Sequence, residues 1–123
     1  MKFTLYIGNN KNDLREYGFN NVMIRNTSHY AKGNSAYNSL VSSDSLPQII
    51  FCKIDSQINP FRLINLIKAN QRLNKIVFIL LTKTMSKKEI RYAFHLGIDE
   101  VIKAPHKIHR YIKRIKFLVE YKH

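Results

Sequence analysis

Two stretches of the chain are apolar at nearly every position, Ile49–Ile54 and Ile76–Leu81. Strands covered by helices on both faces read this way, whereas a strand with one wet face alternates. A helical pattern follows each run. After the first, Asn59-Pro60 marks a helix start, an N-cap with proline at the first helical position. Phe61, Leu63, Ile64, Leu66 and Ile67 then form a wide apolar stripe. The second run ends at Thr82, and Ser86 and Glu89 follow at the spacing of a capping box. Ile90, Ala93 and Phe94 supply that helix with a core face, and Gly97 stands where helices close. A short strand, Glu100–Lys103, runs into Pro105, and a last helix opens at His106 with Ile108, Ile112, Ile115 and Val119 on its core side.

The N-terminal half is patterned less sharply. Lys2–Ile7 predicts a first strand, Gly8-Asn9-Asn10 a turn, and Asn12–Tyr17 a short helix capped by Asn12 or Asp13 and stopped by Gly18. Asn21–Arg25 predicts the second strand and His29–Ser35 a loop. Ser35–Ser43 predicts a helix, entered through Asn34 or Ser35, that buries Ala36, Leu40 and Val41. About five strands alternating with about five helices predict one α/β domain, a parallel sheet with right-handed crossovers between two helical layers. Such sheets bind ligands at the carboxyl ends of their strands. Those ends are Gly8–Asn10, Lys53–Gln57, Thr82–Lys83 and Lys103–Pro105.

Charge changes this picture more than composition does. The chain has 123 residues, 45% of them hydrophobic, enough for one core. It carries 21 Lys and Arg against 8 Asp and Glu, a formal net charge of +13. That excess attracts polyanions: nucleic acid, an anionic membrane surface or an acidic protein face. The alternative is a solvated basic surface. The single cysteine, Cys52, excludes an intrachain disulfide and a cysteine-based zinc site, and its apolar strand makes it a buried small hydrophobe. The N-terminus reads as a strand and not as a signal peptide, and no run is long enough to span a membrane, so a cytoplasmic location is expected.

From Leu46 to Tyr121 the chain resembles the receiver domain of two-component response regulators. Pro47-Gln-Ile-Ile-Phe51 is similar to the start of the family's central strand, and Phe78-Ile-Leu-Leu-Thr82 resembles its fourth strand with a terminal hydroxyl. Gly97-Ile-Asp-Glu-Val-Ile-Lys-Ala-Pro105 is similar to the family's Gly-Ala-Asp-Asp-Tyr-Leu-x-Lys-Pro. The resemblance implies a doubly wound, flavodoxin-like α/β/α sandwich with a five-stranded parallel sheet of order 2-1-3-4-5 and a cis bond before Pro105. It also implies phosphoryl transfer from a histidine kinase to an aspartate, with Mg²⁺ held by an acidic pair and phosphoryl oxygens held by a hydroxyl and a lysine. Here the acidic pair falls on Gly8 and Asn9, or on Asn9 and Asn10. The acceptor position falls on Lys53 and the lysine position on Ala104, with Lys103 one residue early and so facing the other side of the strand. Thr82 is retained.

Two readings of this pattern stand. Asp55, two residues past Lys53, is a displaced phosphoryl acceptor; or Lys53 fills the emptied pocket and pairs with Asp55 or Asp99. The second makes the chain a pseudo-receiver, a regulatory domain without enzymatic activity, metal or cofactor. Its surface becomes its function. Lys87, Lys88 and Arg91 on the fourth helix, with Lys107, Arg110, Lys113 and Arg114 on the last, then form a basic interaction face, with Tyr92, Tyr111 and Tyr121 nearby. The expected partners are a protein or a fused effector, DNA-binding or enzymatic such as a sugar transferase, with the chain as N-terminal part of a longer protein. A second copy of the chain is a further candidate. Nucleic acid is the alternative partner, bound through phosphates. His106 and His109, one turn apart without nearby carboxylate or cysteine, read as exposed histidines and not as metal ligands.

Overall fold

In the structure, a computed structural model that describes residues 4–54 and 59–122, the two apolar runs lie side by side at the centre of a parallel sheet. The strands are β1 (Thr4–Ile7), β2 (Thr27–Tyr30), β3 (Ile49–Lys53), β4 (Val77–Thr82) and β5 (Glu100–Lys103). Their order is β2-β1-β3-β4-β5, with every neighbouring pair parallel. The helices are α1 (Asn21–Arg25), α2 (Gly33–Ser42), α3 (Pro60–Ala69), α4 (Lys87–His95) and α5 (Ile112–Lys122). Two 3₁₀ segments, Lys11–Tyr17 and Ile108–Tyr111, complete the described elements.

Strand alternation sorts the core into two layers. Ile50, Cys52, Phe78 and Leu80 face α2, α3 and α4 through Ala36, Leu40, Leu63, Ile64, Ile67 and Ala93. Ile49, Phe51, Val77, Ile79 and Leu81 face the other way, onto Leu14, Tyr17, Phe19, Ile24, Ile108, Ile115 and Leu118. On that second side the first 3₁₀ segment and the five-residue α1 cover the sheet together, with Tyr17 and Phe19 packed beneath them. Phe19 meets Phe51 edge to face at 5.0 Å, an arrangement worth about 1 kcal/mol beyond area burial.

The starts of α3 and α4 follow the expected chemistry, whereas α2 is entered through Lys32 without a side-chain cap and not through Asn34 or Ser35. Asn59 Oδ1 accepts hydrogen bonds from the N–H groups of Phe61 and Arg62 ahead of α3, and Ser86 and Glu89 close a reciprocal capping box on α4. Gly18 (φ 84°) and Gly97 (φ 103°) take the left-handed conformation that ends a helix. At the amino end of the sheet Asp99 accepts from the Phe78 N–H and from Lys122. Beside it the Lys68 ammonium is pulled down to about 8, first by burial and then by its contact with Lys122.

Several expectations are corrected. Asn21–Arg25 is not the second strand but α1, because the Asn20 side chain caps the Met23 N–H and starts a helical turn; Val22, which helped suggest a strand, is 54% exposed. The second strand is Thr27–Tyr30, within and just before the stretch read as loop. It is an edge strand whose Ser28 and His29 face solvent, so no apolar pattern marks it. Asn10, not Asn12 or Asp13, caps the first 3₁₀ segment. Phe94 is 42% exposed and Val41 and Leu66 are exposed too; the α4 stripe runs through Ile90, Ala93 and Leu96. The Ala104–Pro105 bond is cis, as the resemblance implied.

Gly8 ends β1 beneath the Tyr6 phenol, so a Cβ there runs into that ring. Tyr6 is fully buried and stacks on His29, which leaves it little room to withdraw. Gly8→Ala is expected to cost about 1–3 kcal/mol through overpacking, read as a lower urea midpoint with an unchanged slope.

Candidate functional site at the strand exits

All five strands point the same way, so their carboxyl ends share one edge. Lys53 is the first residue of β3 that reaches water; Ile49 to Cys52 are buried. Its side chain lies on the layer of the first 3₁₀ segment, where Nζ stands 3.3 Å from Asp13 Oδ2. Of the two partners expected for Lys53, Asp99 is not the one it meets. Asp99 sits at the opposite edge of the sheet, bound to Phe78 and Lys122, and Asp55 lies outside the described residues.

The neighbouring exits repeat the arrangement. Lys83, just past β4, places Nζ 2.7 Å from Glu16 Oε2. Lys107, past β5, donates from Nζ to the Glu16 carbonyl at 2.6 Å. Three successive strand exits therefore each send a lysine to one 3₁₀ segment, which answers with Asp13 and Glu16. The Lys83 hydrogen bond holds the Glu16 carboxyl below its usual range, against the opposing effect of burial, and the charges of Lys83, Lys53 and Lys107 add to it.

At the β1 exit Asn9 is exposed, and Asn10 commits its side chain to the Asn12 N–H at 2.9 Å. Thr82 is buried, and its Oγ1 accepts from the Thr84 and Met85 N–H groups, fixing the turn out of β4. Lys103 pairs with Thr82 in register. Its charge is felt by Glu89 of α4, whose carboxyl is lowered mainly by its hydrogen bond from Ser86. Ala104 packs against the opposite layer. Lys103 and the Ala104 position thus face different sides of β5, as the one-residue shift requires.

These residues do not fit Mg²⁺. The ion asks for carboxylate oxygens and retains ordered waters around them. Among the described residues, the β1 exit offers glycine and amides, and Lys53 at the β3 exit offers an ammonium. Among the described residues, the two carboxylates in reach already face lysines. No group of three or more His, Cys, Asp or Glu among the described residues is disposed to hold a metal.

On the basic face, Lys87, Lys88, Arg91, Arg110, Lys113 and Arg114 are exposed, as are His106 and His109. Lys107 is turned away from them to the Glu16 carbonyl. Arg114 pairs with Glu100 at 2.9 Å, and Arg110 meets His106 Nδ1 at 2.7 Å. Sequence reasoning missed Asp13, Glu16 and Lys83 as partners. The available signal was a lysine at or just beyond each of the last three strands, facing an acidic turn after the first. A cleft of about 460 Å³ between the starts of α2 and α3, lined by Lys32, Asn34, Asn59 and Arg62, was also not foreseen.

Tyr17 closes the same 3₁₀ segment. Its hydroxyl is buried without a hydrogen bond among the described residues, and its pKa is pushed up to about 12 by burial first, then by the Glu16 and Asp13 charges. The unfolded chain releases this proton near 10 while the folded chain keeps it, so stability is unaffected below pH 10 and falls from there towards 12. Absorbance titration of the seven tyrosines should show a late-ionising component that shrinks by one tyrosine in Tyr17→Phe, with little loss of stability. On the acid side the sign is opposite. The Glu16–Lys83 contribution is present above the unfolded value of 4.5 and disappears as pH falls through the lower folded one. The pair is largely exposed, so Lys83→Met should remove only a few tenths of a kcal/mol of acid-dependent stability, measured by urea unfolding between pH 3 and 6.

No protein-family model matches the chain, and no curated sequence relative matches it. Solved structures do. The signal receiver domain of a signal transduction histidine kinase from Syntrophus aciditrophicus superimposes with a TM-score of 0.70 at 21% identity, over 98% of this chain and 92% of that one. The chemotaxis response regulator CheY4 of Vibrio cholerae gives 0.73 at 10% identity, over 96% and 98%. A two-component response regulator from Clostridium difficile gives 0.72 at 17% identity, over 98% and 97%. At these identities the likeness concerns the backbone and its topology, and on that ground the chain has the fold of a response-regulator receiver domain.

Proposed function

We propose that the chain is a receiver-fold regulatory module of signal transduction that lacks the phosphorylation switch and acts by protein contact. The observation that carries this reading is the Lys53–Asp13 ion pair. A cation occupies the strand exit where the receiver resemblance calls for the acceptor aspartate, and it is held by a carboxylate from the segment after β1. Lys83 and Lys107 fasten the same segment. The edge is thereby fixed in one arrangement, with no charge to gain and no metal to lose.

With the chemistry gone, the surface is what remains to act. The exposed cations Lys87, Lys88 and Arg91 of α4 and Arg110 and Lys113 at the start of α5 form the contact for a protein partner or a fused effector domain. A cytoplasmic location fits such a role, and no helix among the described residues is long and apolar enough to cross a membrane.

The test is incubation with Mg²⁺ and acetyl phosphate, and separately with beryllofluoride. Intact-mass spectra should show no phosphoryl adduct, and amide chemical shifts around Thr82 and Lys53 should stay put. Mg²⁺ alone should leave the melting temperature unchanged, since a ligand stabilises only what it binds. Stoichiometric modification at Asp55 would sink the reading and establish the chain as a phosphoryl acceptor.

A further inference from the structure

The outer side of α5 carries a feature that the strand exits do not explain. Phe117 and Tyr121 are 59% and 78% exposed. They stand one helical turn apart with ring centroids 6.1 Å apart and planes inclined by 17°. Two large rings held parallel in water forgo the burial that such side chains ordinarily gain.

Positive charge lies beside them. Lys113 is one turn before Phe117 on the same side, and Lys116 precedes it directly; both are exposed. Neither has an ion pair among the described residues, although the exposed Glu120 stands one turn beyond Lys116; most other acids are engaged elsewhere. Asp13, Glu16, Asp99 and Glu100 are taken by Lys53, Lys83, Lys122 and Arg114, and Glu89 by its helix cap. From Lys113 to Tyr121 the stripe runs about 12 Å, cations first and stacked rings after, with the single carboxylate of Glu120 at its border.

One class of occupant uses both halves. A single-stranded nucleic acid offers phosphates to the lysines and free base faces to the rings, and base–aromatic stacking tolerates any sequence. A duplex hides its base faces within the stack. A second copy of this chain brings the same cations, and a net charge of +13 opposes that approach. An acidic peptide answers the lysines and leaves the rings unused. We infer that the outer stripe of α5, formed by Lys113, Lys116, Phe117 and Tyr121, binds single-stranded nucleic acid through phosphate contacts and base stacking without base readout. This goes beyond the module reading and does not depend on whether Asp55 accepts a phosphoryl group.

The test is fluorescence anisotropy with labelled dT and rU oligonucleotides of about 15 nucleotides, near the upper site size of stacking-type binders, at about 50 mM salt. Both should bind, and an abasic oligonucleotide of the same length should bind about tenfold more weakly. The Phe117→Ala, Tyr121→Ala double variant should lose about tenfold for dT and rU and nothing for the abasic strand. The Lys113→Glu, Lys116→Glu double variant should weaken all three and flatten the salt slope by about 0.7 for each phosphate it no longer neutralises. These four side chains are exposed, and a thermal melt of each variant checks that the fold is kept. No binding at low salt overturns the inference. So does equal binding of abasic and normal strands, which leaves charge alone. Preference for duplex overturns it too, as does equally tight binding of polyglutamate with the same aromatic dependence, which assigns the stripe to an acidic protein.

Discussion

β3 and β4 are covered by helices on both sides, so each side chain from Ile49 to Cys52 and from Val77 to Leu81 belongs to one apolar layer or the other. Neither layer admits an unpaired charge at reasonable cost. Polar chemistry on these strands is therefore confined to their last residue and the turn beyond it. Parallel pairing then brings those last residues to one edge. The placement of Lys53, Lys83 and Lys107 within reach of a single 3₁₀ segment follows from this: burial sets where charge begins, and strand direction brings the charges together.

What was readable in the chain tracks how much of the signal was local. The two apolar runs, the Asn59-Pro60 start, the Ser86–Glu89 box and Gly97 each fix structure through neighbours in sequence, and each appears where expected. β2 did not announce itself, because an edge strand with a polar outer face has no apolar code. The stretch Asn21–Arg25 misled, because three apolar residues in a row fit a strand and one turn of helix equally well. In the helix only Ile24 is buried. The site was half legible. That Lys53 stands at the β3 exit could be read from the chain, but its partner could not. Asp13 lies forty positions earlier, and only the closure of the sheet brings the two together.

The eight acidic residues are distributed unevenly. Four of them tie elements of the fold together, two at the strand exits and two at the opposite end of β5. The excess cations are consequently spread over the outside, chiefly on α4 and from His106 through α5. A chain with this balance meets its surroundings as a polycation whatever its fold does. Its associations will be governed by ionic strength at least as much as by shape.

The Lys11–Tyr17 segment has a consequence for motion. A 3₁₀ helix makes poorer backbone hydrogen bonds than an α-helix and rarely persists by its own propensity. This one is anchored inward by Leu14 and Tyr17 and outward by three lysine side chains. The outward fastenings are partly solvated and weaken with salt, while the inward ones do not. Opening is thus graded: the rim over the strand ends loosens first, with the aromatic layer below still closed. The stiffness of this rim over the strand ends is therefore set in part by the ions around it.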